Sequence, residues 1–206
     1  RYAEHLDNAA SYLNYRGIQL EAAKSWRWGV VVDPEPEHER MKGMLCIPYL
    51  TPTGVVALKF RCIADHECKE NGHPKYNSES GQGTFLFGVL AKRMVSQFLC
   101  VTEGEINAFC ATTQASMPCL ATSGATKWLP HWSHCFDGYE EVLVLRDGDE
   151  AGDKLASNVV RNLYNARVVP MPDGHDVNSF ILEHGPQALR DRAGVDDKED
   201  SASISG

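Results

Sequence analysis

The sequence EVLVLRDGDEAGDK, residues 141–154, determines how the rest of the chain is interpreted. The apolar run from Glu141 to Leu145 has no helical period, which is typical of a strand that is buried on both faces. Asp147 and Asp149 follow this run, and a long amphipathic stretch begins at Glu150. The two carboxylates therefore lie at the C-terminal end of a predicted parallel strand, where open α/β sheets bind their ligands.

Asp147 and Asp149 have two interpretations. A single aspartate in front of a helix is commonly an N-terminal cap, and Asp149 is in position to act as one. A cap does not explain two carboxylates separated by one glycine. Like charges this close together are costly unless a cation neutralises them. We therefore predict a site for a hard metal ion at this strand end.

The length and composition are those of a globular protein. The chain has 206 residues, of which 43% are hydrophobic and 23% are charged, enough for one large or two small domains. No apolar run approaches the ~20 residues of a membrane span, and no signal-peptide pattern is present, so we expect a cytoplasmic protein with no membrane partner. The chain starts at Arg1 rather than at Met, which indicates an excised fragment.

The charge is distributed unevenly along the chain. The formal net charge is -8, with a net of +1 over residues 1–100 and a net of -9 over residues 101–206. A near-neutral half joined to a strongly acidic half indicates two tasks, and the acidic half is suited to binding cations. We expect one domain over 1–95, a second over 96–193, and a disordered acidic tail over 194–206.

The first half combines predicted helices with a hairpin. Residues 2–16 have apolar positions at helical spacing, and Arg16 lies at the predicted helix end, where its charge complements the helix dipole. Residues 45–63 alternate with period 2 on both sides of a Pro-Thr-Gly turn, which predicts a β-hairpin. Lys59 and Arg61 share one face of its second strand. That face is either simply solvated or a ridge that binds anions.

Four residues with metal-binding side chains lie at the end of the predicted hairpin and in the segment after it: Cys62, His66, Cys68 and His73. Their spacing matches no common zinc pattern, and the seven cysteines of the chain include no CxxC pair. We interpret the segment as a polar hairpin loop and expect no zinc in this fragment.

From Gln97 onwards strand-like and helix-like segments alternate, with one predicted helix interrupted at Pro130. Such alternation predicts right-handed βαβ crossovers and a mainly parallel sheet. The expected fold class is α/β, with an α+β N-terminal subdomain in front of it. Acidic residues end three of the predicted strands: Glu103, the Asp147/Asp149 pair, and Asp173 with Asp176. Carboxylates that converge in this way suit Mg²⁺ or Mn²⁺.

Taken in order, these motifs resemble a known family. VTEG ending at Gly104, DGDEAG at 147–152 and PDGHD at 172–176 are similar to the Toprim fold shared by bacterial-type primases, topoisomerases and some nucleases. The first half resembles the N-terminal subdomain of bacterial-type primase catalytic cores, through segments that include YLNYRGI, IPYLTPTGVVALKFR, KYNS and FLFG. The resemblance also extends to the primase half of phage primase–helicases and covers roughly residues 10–190.

The resemblance implies roles for individual residues. Glu103 would be a metal-associated acid and the general base, while Asp147 and Asp149 would bind the divalent ions, with Asp176 in support. The residues implied in nucleotide or template contact are Arg16, Lys59, Arg61, Lys75, Tyr76 and Asn77. Two departures reduce the negative charge, because Asn107 and Asn178 stand where many relatives have acids. We expect a second metal ion to be held weakly.

The function implied by the resemblance is that of a DNA primase, which uses ribonucleoside triphosphates to make short RNA primers on single-stranded DNA. A replicative helicase and a zinc-binding domain absent from this fragment are the implied partners, and the fragment has neither a zinc ribbon nor a Walker A motif. Two alternatives stay open. One is a Toprim nuclease, which would not need the basic motifs; the other is a non-catalytic module that binds nucleic acid or docks to the replisome.

Overall fold

The computed structural model describes residues 1–124 and 127–195, so the predicted acidic tail lies outside the described residues from 196 onwards. The chain divides into two compact units, Arg1–Phe85 and Leu86–Gly206. None of the helices in the described ranges combines the length and the apolar character that a membrane crossing requires.

The first unit is an α+β unit with an antiparallel sheet in the strand order β1-β2-β3-β4. Its helical elements are a 3-10 helix (Tyr2–Ala9), α1 (Ala10–Tyr15), α2 (Leu20–Ser25) and a second 3-10 helix (Pro36–Met41). Its strands are β1 (Gly29–Val30), β2 (Leu45–Thr51), β3 (Gly54–Arg61) and β4 (Tyr76–Ser78).

The predicted hairpin is confirmed as β2 and β3, which pair antiparallel from Leu45 opposite Arg61 to Thr51 opposite Gly54. Phe60 is completely buried on the face of β3 that packs against Val31 and Met41. The period-2 alternation of the sequence therefore predicts this strand correctly, because the face with Phe60 is buried in a core and the opposite face carries Lys59 and Arg61.

The second unit is built from alternating strands and helices, as predicted. Its strands are β5 (Phe98–Thr102), β6 (Cys119–Ala121), β7 (Glu141–Arg146) and β8 (Ala166–Pro170). Its α-helices are α3 (Glu105–Thr113), α4 (Glu150–Asn162), α5 (Val177–His184) and α6 (Pro186–Ala193). Two 3-10 helices, Val89–Arg93 and Pro130–Phe136, complete it.

All strand pairs of this second sheet are parallel, in the order β6-β5-β7-β8. The chain leaves β5 towards β6, crosses over to β7 on the other side of β5, and continues outward to β8. The strand order therefore reverses between β5 and β7. The crevice at the carboxyl ends of two such strands is the general ligand-binding position of open α/β sheets.

The prediction for Pro130 was wrong. A helix interrupted at this residue was expected, but the 3-10 helix begins at Pro130 instead. Proline lacks a backbone N–H and has a fixed φ, which suits the first turn of a helix and not its interior. The helix that follows buries Trp132 and Phe136 in the apolar core of the second unit.

Candidate active site

The carboxyl ends of β5 and β7 carry the first two predicted acids. Glu103 directly follows β5 and Asp147 directly follows β7, and these strands are hydrogen-bonded neighbours, with Val101 opposite Val144. Both side chains are half-buried. The fold thus places them at the point where the strand order reverses, as expected for a ligand site.

Asp147 is the electrostatic centre of the acidic site. Burial, which is the largest cause, and the charges of Asp176, Glu103 and Asp149 together raise the pKa of its carboxyl group to about 8. The four acids predicted from the sequence therefore lie close enough to act on one another. A carboxylate held near three like charges at reduced dielectric constant is stabilised by a cation.

Asn107 on α3 is the main polar partner of Asp147. Its Nδ2 lies 3.2 Å from Oδ1 and 3.1 Å from Oδ2 of that carboxylate. Its Oδ1 accepts a hydrogen bond of 3.2 Å from the backbone N–H of Asn178 on α5. Asn107 therefore holds Asp147 in place and also connects it to the helix that carries Asp176 at its N-terminus.

Asp149 and Asp176 both cap helices. Oδ1 of Asp149 accepts a 2.8 Å bond from the N–H of Gly152 at the start of α4. Oδ1 of Asp176 accepts a 2.7 Å bond from the N–H of Ser179, as part of a capping box on α5. The capping interpretation of Asp149 is thus confirmed, and it is compatible with a metal role because a carboxylate has a second oxygen.

Two glycines explain the spacing of the DGDEAG motif. A Cβ at Gly148 would lie 2.0 Å from the carbonyl oxygen of Pro172, and one at Gly152 would lie 2.3 Å from that of Asp147. Hydrogen bonds join Gly148 to the following loop, from its N–H to the His175 carbonyl at 2.8 Å. Gly148 therefore lets the loop after β8 approach the acidic site closely, which positions Asp176. Asp173 is exposed in this loop and is not among the charges that raise the pKa of Asp147.

Arg61 is the centre of the predicted basic surface in the first unit. The residue is only 6% exposed, and its guanidinium group lies 5.4 Å from the ring centre of Tyr12 and 4.8 Å from that of Tyr76. Its Nη1 also donates a hydrogen bond to the Tyr76 hydroxyl. Among the described residues the structure records no ion pair for Arg61. A buried cation with aromatic partners and no anionic partner favours an anionic ligand.

A cavity of about 720 Å³ opens beside Arg61. Its lining includes Arg16, Lys75, Tyr12 and Tyr15, and its volume lies within the range of ordinary ligand pockets. Lys59 lies above Tyr76, with its Nζ 5.5 Å from the centre of that ring. Cationic and aromatic side chains in one concave surface are typical of sites for nucleotides and single-stranded nucleic acids.

Asn77 is separated from the other predicted basic-surface residues. In the β3–β4 pair, Tyr76 lies opposite Arg61, whereas Asn77 lies opposite the buried Phe60. Residues paired in this way project from the same face of the sheet, so Asn77 faces the core side. Its Nδ2 lies 3.6 Å from the sulfur of Met44. The structure thus brings Arg16, Arg61, Lys75 and Tyr76 towards one surface and places Asn77 on the opposite one.

Comparison with known proteins connects this geometry to a family. The Toprim domain family matches residues 98–187, the span that contains all four acids. The Gene 57 protein of Mycobacterium phage D29 is 37% identical over 156 residues, which covers 73% of this chain and 98% of the phage protein. The DNA primase of Pseudomonas aeruginosa is 26% identical over 200 residues, or 90% of this chain. The chain therefore belongs to the same family as the phage protein, and it carries a Toprim domain. It spans 30% of the length of the Pseudomonas primase.

The fold agrees with the assignment of a Toprim domain. The RNA polymerase domain of Mycobacterium tuberculosis primase DnaG, solved in complex with double-stranded DNA, superimposes with a TM-score of 0.73 at 24% identity. The superposition covers 94% of this chain and 76% of the mycobacterial one. The expected α/β class with a parallel Toprim sheet is therefore confirmed.

Two contributors to the candidate sites were missed as such in the sequence. Tyr12 was interpreted only as part of a helix, because its contact with Arg61 joins segments that are distant in the chain. Asn107 was interpreted as a missing acid, and nothing in the sequence shows that its amide group would bond to Asp147. Local patterns contain no signal for such contacts between elements.

Proposed function

We propose that this Toprim-domain chain is a DNA-templated RNA polymerase, a DNA primase, that joins ribonucleotides into short primers on single-stranded DNA. The observation that carries the proposal is the position of Asp147. It lies at the reversal of the strand order, where burial together with the charges of Asp176, Glu103 and Asp149 raises the pKa of its carboxyl group to about 8. Such a site needs a cation, and a cation among carboxylates is the usual partner of nucleotide phosphates.

The residues present fit Mg²⁺ or Mn²⁺. The donors are carboxylate oxygens from Glu103, Asp147, Asp149 and Asp176, and hard divalent cations prefer oxygen ligands. When bound, the ion offsets negative charge on the nucleotide phosphates and on the pyrophosphate that leaves. Asn107 reduces the negative charge of the site, since it contributes an amide group where an acid would add a carboxylate. We therefore expect the site to bind metal more weakly than an all-acid site.

In the proposed reaction the 3′-hydroxyl of one nucleotide attacks the α-phosphate of the next, and pyrophosphate leaves. Glu103 accepts the proton of that hydroxyl group as the general base. Asp147 is fixed by Asn107, and the cap at Gly152 fixes Asp149. Carboxylates that are held by such bonds need little rearrangement during the reaction, which is the main contribution of a preorganised site.

The basic surface of the first unit is proposed to bind the template and the incoming nucleotide. Arg16, Arg61 and Lys75 provide positive charge around the cavity, and Tyr12 and Tyr15 provide aromatic faces. Phosphate contacts supply sequence-independent affinity that falls with salt, while aromatic rings stack on bases of any type. The DNA bound to the mycobacterial polymerase domain supports a role of this kind.

Other participants are also proposed. A replicative helicase and a separate zinc-binding domain would act with the chain at the replication fork, in the cytoplasm of a bacterial or phage-infected cell. The acids and the basic surface that we assign to the core chemistry lie within this chain.

A primer-synthesis assay tests the proposal. The full chain is incubated with single-stranded templates, labelled ribonucleoside triphosphates and either Mg²⁺ or Mn²⁺. We expect template-dependent oligoribonucleotides from the wild type and none from Asp147→Asn or Glu103→Gln. The control is Asp191→Asn, which changes an exposed acid on α6 that bonds to Gln187 and should leave synthesis intact.

Other products would overturn the proposal. Metal-dependent strand cleavage without synthesis would identify a Toprim nuclease, which needs only the acids. Template binding with neither synthesis nor cleavage, when a zinc-binding domain of a related primase is also supplied, would identify a non-catalytic module.

A further inference from the structure

The loop between β3 and β4, residues 62–75, brings together four side chains that can bind a metal ion. One ligand atom from each of Cys62, His66, Cys68 and His73 lies within 4.8 Å of all the others. The spacing of these residues led to the expectation of a polar loop without zinc. The loop does lack helix and strand, but it folds back on itself, so that residues distant in sequence meet.

Two distances within this cluster are close to those of a tetrahedral zinc site. Cys62 Sγ lies 3.6 Å from His66 Nε2, and His66 Nε2 lies 2.8 Å from His73 Nε2. Zn–S bonds of about 2.3 Å and Zn–N bonds of about 2.0–2.1 Å place tetrahedral ligand atoms about 3.3–3.8 Å apart. The first distance already fits. The two imidazole nitrogens need to separate by only about 0.5 Å to admit the ion.

The hydrogen bonding of His73 orients its ring for metal binding. Its Nδ1 lies 3.2 Å from the carbonyl oxygen of Pro74, which can only accept, so Nδ1 carries the proton. The Nε2 atom therefore presents its lone pair to the cluster. A backbone carbonyl on the second ring nitrogen is the usual way in which a metal-binding histidine is fixed in one tautomer.

The backbone of the loop is closed around the cluster. The N–H of Cys62 donates to the Lys75 carbonyl at 2.9 Å, and that of His73 donates to the Cys68 carbonyl at 3.1 Å. Gly72 takes the left-handed φ of +71° that this tight return requires. The residues in between are mostly polar or charged, with few apolar side chains to form a core. Loops of this length without secondary structure are uncommon unless something else orders them.

We propose that Cys62, His66, Cys68 and His73 bind a structural Zn²⁺ ion in tetrahedral Cys₂His₂ geometry. Thiolate and imidazole ligands select zinc over Mg²⁺, which prefers oxygen. Four protein ligands leave no position for substrate, so the ion has a structural role. Three of these ligands, Cys62, His66 and Cys68, also line the cavity beside Arg61, so the ion fixes one wall of that cavity. The zinc site does not depend on the proposed primer synthesis.

Metal analysis of the full chain tests the site. The wild type is purified under reducing conditions from zinc-supplemented cells, dialysed, and analysed by inductively coupled plasma mass spectrometry. We expect one zinc ion per chain, and its loss in Cys68→Ser and in His73→Asn. Two matched controls in the second unit, Cys135→Ser and His134→Asn, should keep the full zinc content, since neither side chain lies in the loop.

A second measurement uses only the wild type, so its result does not depend on whether the variants fold. The chain is stripped of metal with a chelator and titrated with Co²⁺, whose absorption reports thiolate ligation and tetrahedral geometry. We expect saturation at one equivalent and displacement by Zn²⁺. A stripped chain that gives no thiolate–cobalt absorption would overturn the site, as would zinc content unchanged in both loop variants. A wild type that binds zinc but makes no primers would count only against the proposed function.

Discussion

Asn107 and Asp147 form a two-point contact, in which Nδ2 of the amide lies within 3.2 Å of both oxygens of the carboxylate. The amide donates hydrogen bonds to a group that is surrounded by the charges of Asp176, Glu103 and Asp149. It therefore reduces the repulsion between Asp147 and the neighbouring carboxylates, which a bound metal ion would otherwise have to neutralise alone. Asn107 stabilises the metal-free site and weakens its demand for metal.

Replacing Asn107 with aspartate should shift this balance. Asn107→Asp keeps an oxygen that can accept from the Asn178 N–H, but it replaces the amide donor with a charge that repels Asp147. In chelator we expect the free energy of unfolding to fall by about 1–2 kcal/mol, and the apparent affinity for Mg²⁺ to become several-fold tighter. Thermal unfolding at increasing Mg²⁺ concentration measures both. Asn162→Asp, on the exposed end of α4, is the control. An unchanged Mg²⁺ response in Asn107→Asp would contradict the assigned role.

The raised pKa of Asp147 predicts how stability depends on pH without metal. Between the ordinary value of 3.8 and the folded value of about 8, the folded chain keeps a proton that the unfolded chain has released. Stability is therefore greatest at low pH in this window and falls as the pH rises towards 8, by at most about 1.4 kcal/mol per pH unit.

Chemical denaturation in chelator across this pH range gives the measurement. The difference between the wild type and Asp147→Asn isolates the contribution of Asp147, because other titrating groups are common to both. In saturating Mg²⁺ the slope for the wild type should flatten towards zero, since metal binds the deprotonated carboxylate and the folded chain no longer keeps the extra proton in this window. Wild-type and variant curves that run parallel in chelator would show that Asp147 does not titrate abnormally.

The sequence predicts best where local pattern and topology act together. Glu103, Asp147 and Asp176 could be placed at one edge because parallel strands end at the same side of a sheet. The hairpin was predictable because its alternation reflects one buried face, which ends in Phe60. In both cases the side-chain positions follow from the backbone alone.

Features that depend on contacts between elements could not be predicted in this way. The β4 strand, Tyr76–Ser78, is too short to show a period, so the opposite orientations of Tyr76 and Asn77 emerge only from pairing with β3. The cluster of Cys62, His66, Cys68 and His73 depends on how an irregular loop folds back. Spacing rules for zinc sites assume regular hairpins and helices, and they carry no information about such a loop.

Two glycines of the shared motifs should respond very differently to alanine. In Gly148→Ala the new Cβ would meet the Pro172 carbonyl at 2.0 Å, so the loop that carries Asp176 must move. We expect the free energy of unfolding to fall by about 2–4 kcal/mol and Mg²⁺ to stabilise the variant less than the wild type. A Cβ at Gly104 meets nothing within 4 Å, and its φ of -117° is open to any residue. Gly104→Ala should lower the free energy of unfolding by less than about 1 kcal/mol. Urea denaturation compares the two, and equal losses would contradict the close-approach argument.

Arg61 should contribute both charge and stacking to template binding, and two substitutions separate these contributions. Arg61→Met removes the charge, so the slope of log affinity against log salt for single-stranded DNA should become shallower by about 0.7. Arg61→Lys keeps the charge but loses the planar group that contacts the rings of Tyr12 and Tyr76, so affinity should fall with the slope unchanged. Fluorescence anisotropy with a labelled oligonucleotide at several salt concentrations measures both quantities. Lys42→Met, an exposed change in the same unit, should alter neither, and circular dichroism checks the fold. A wild-type slope in Arg61→Met would show that this guanidinium group does not contact the phosphates of the template.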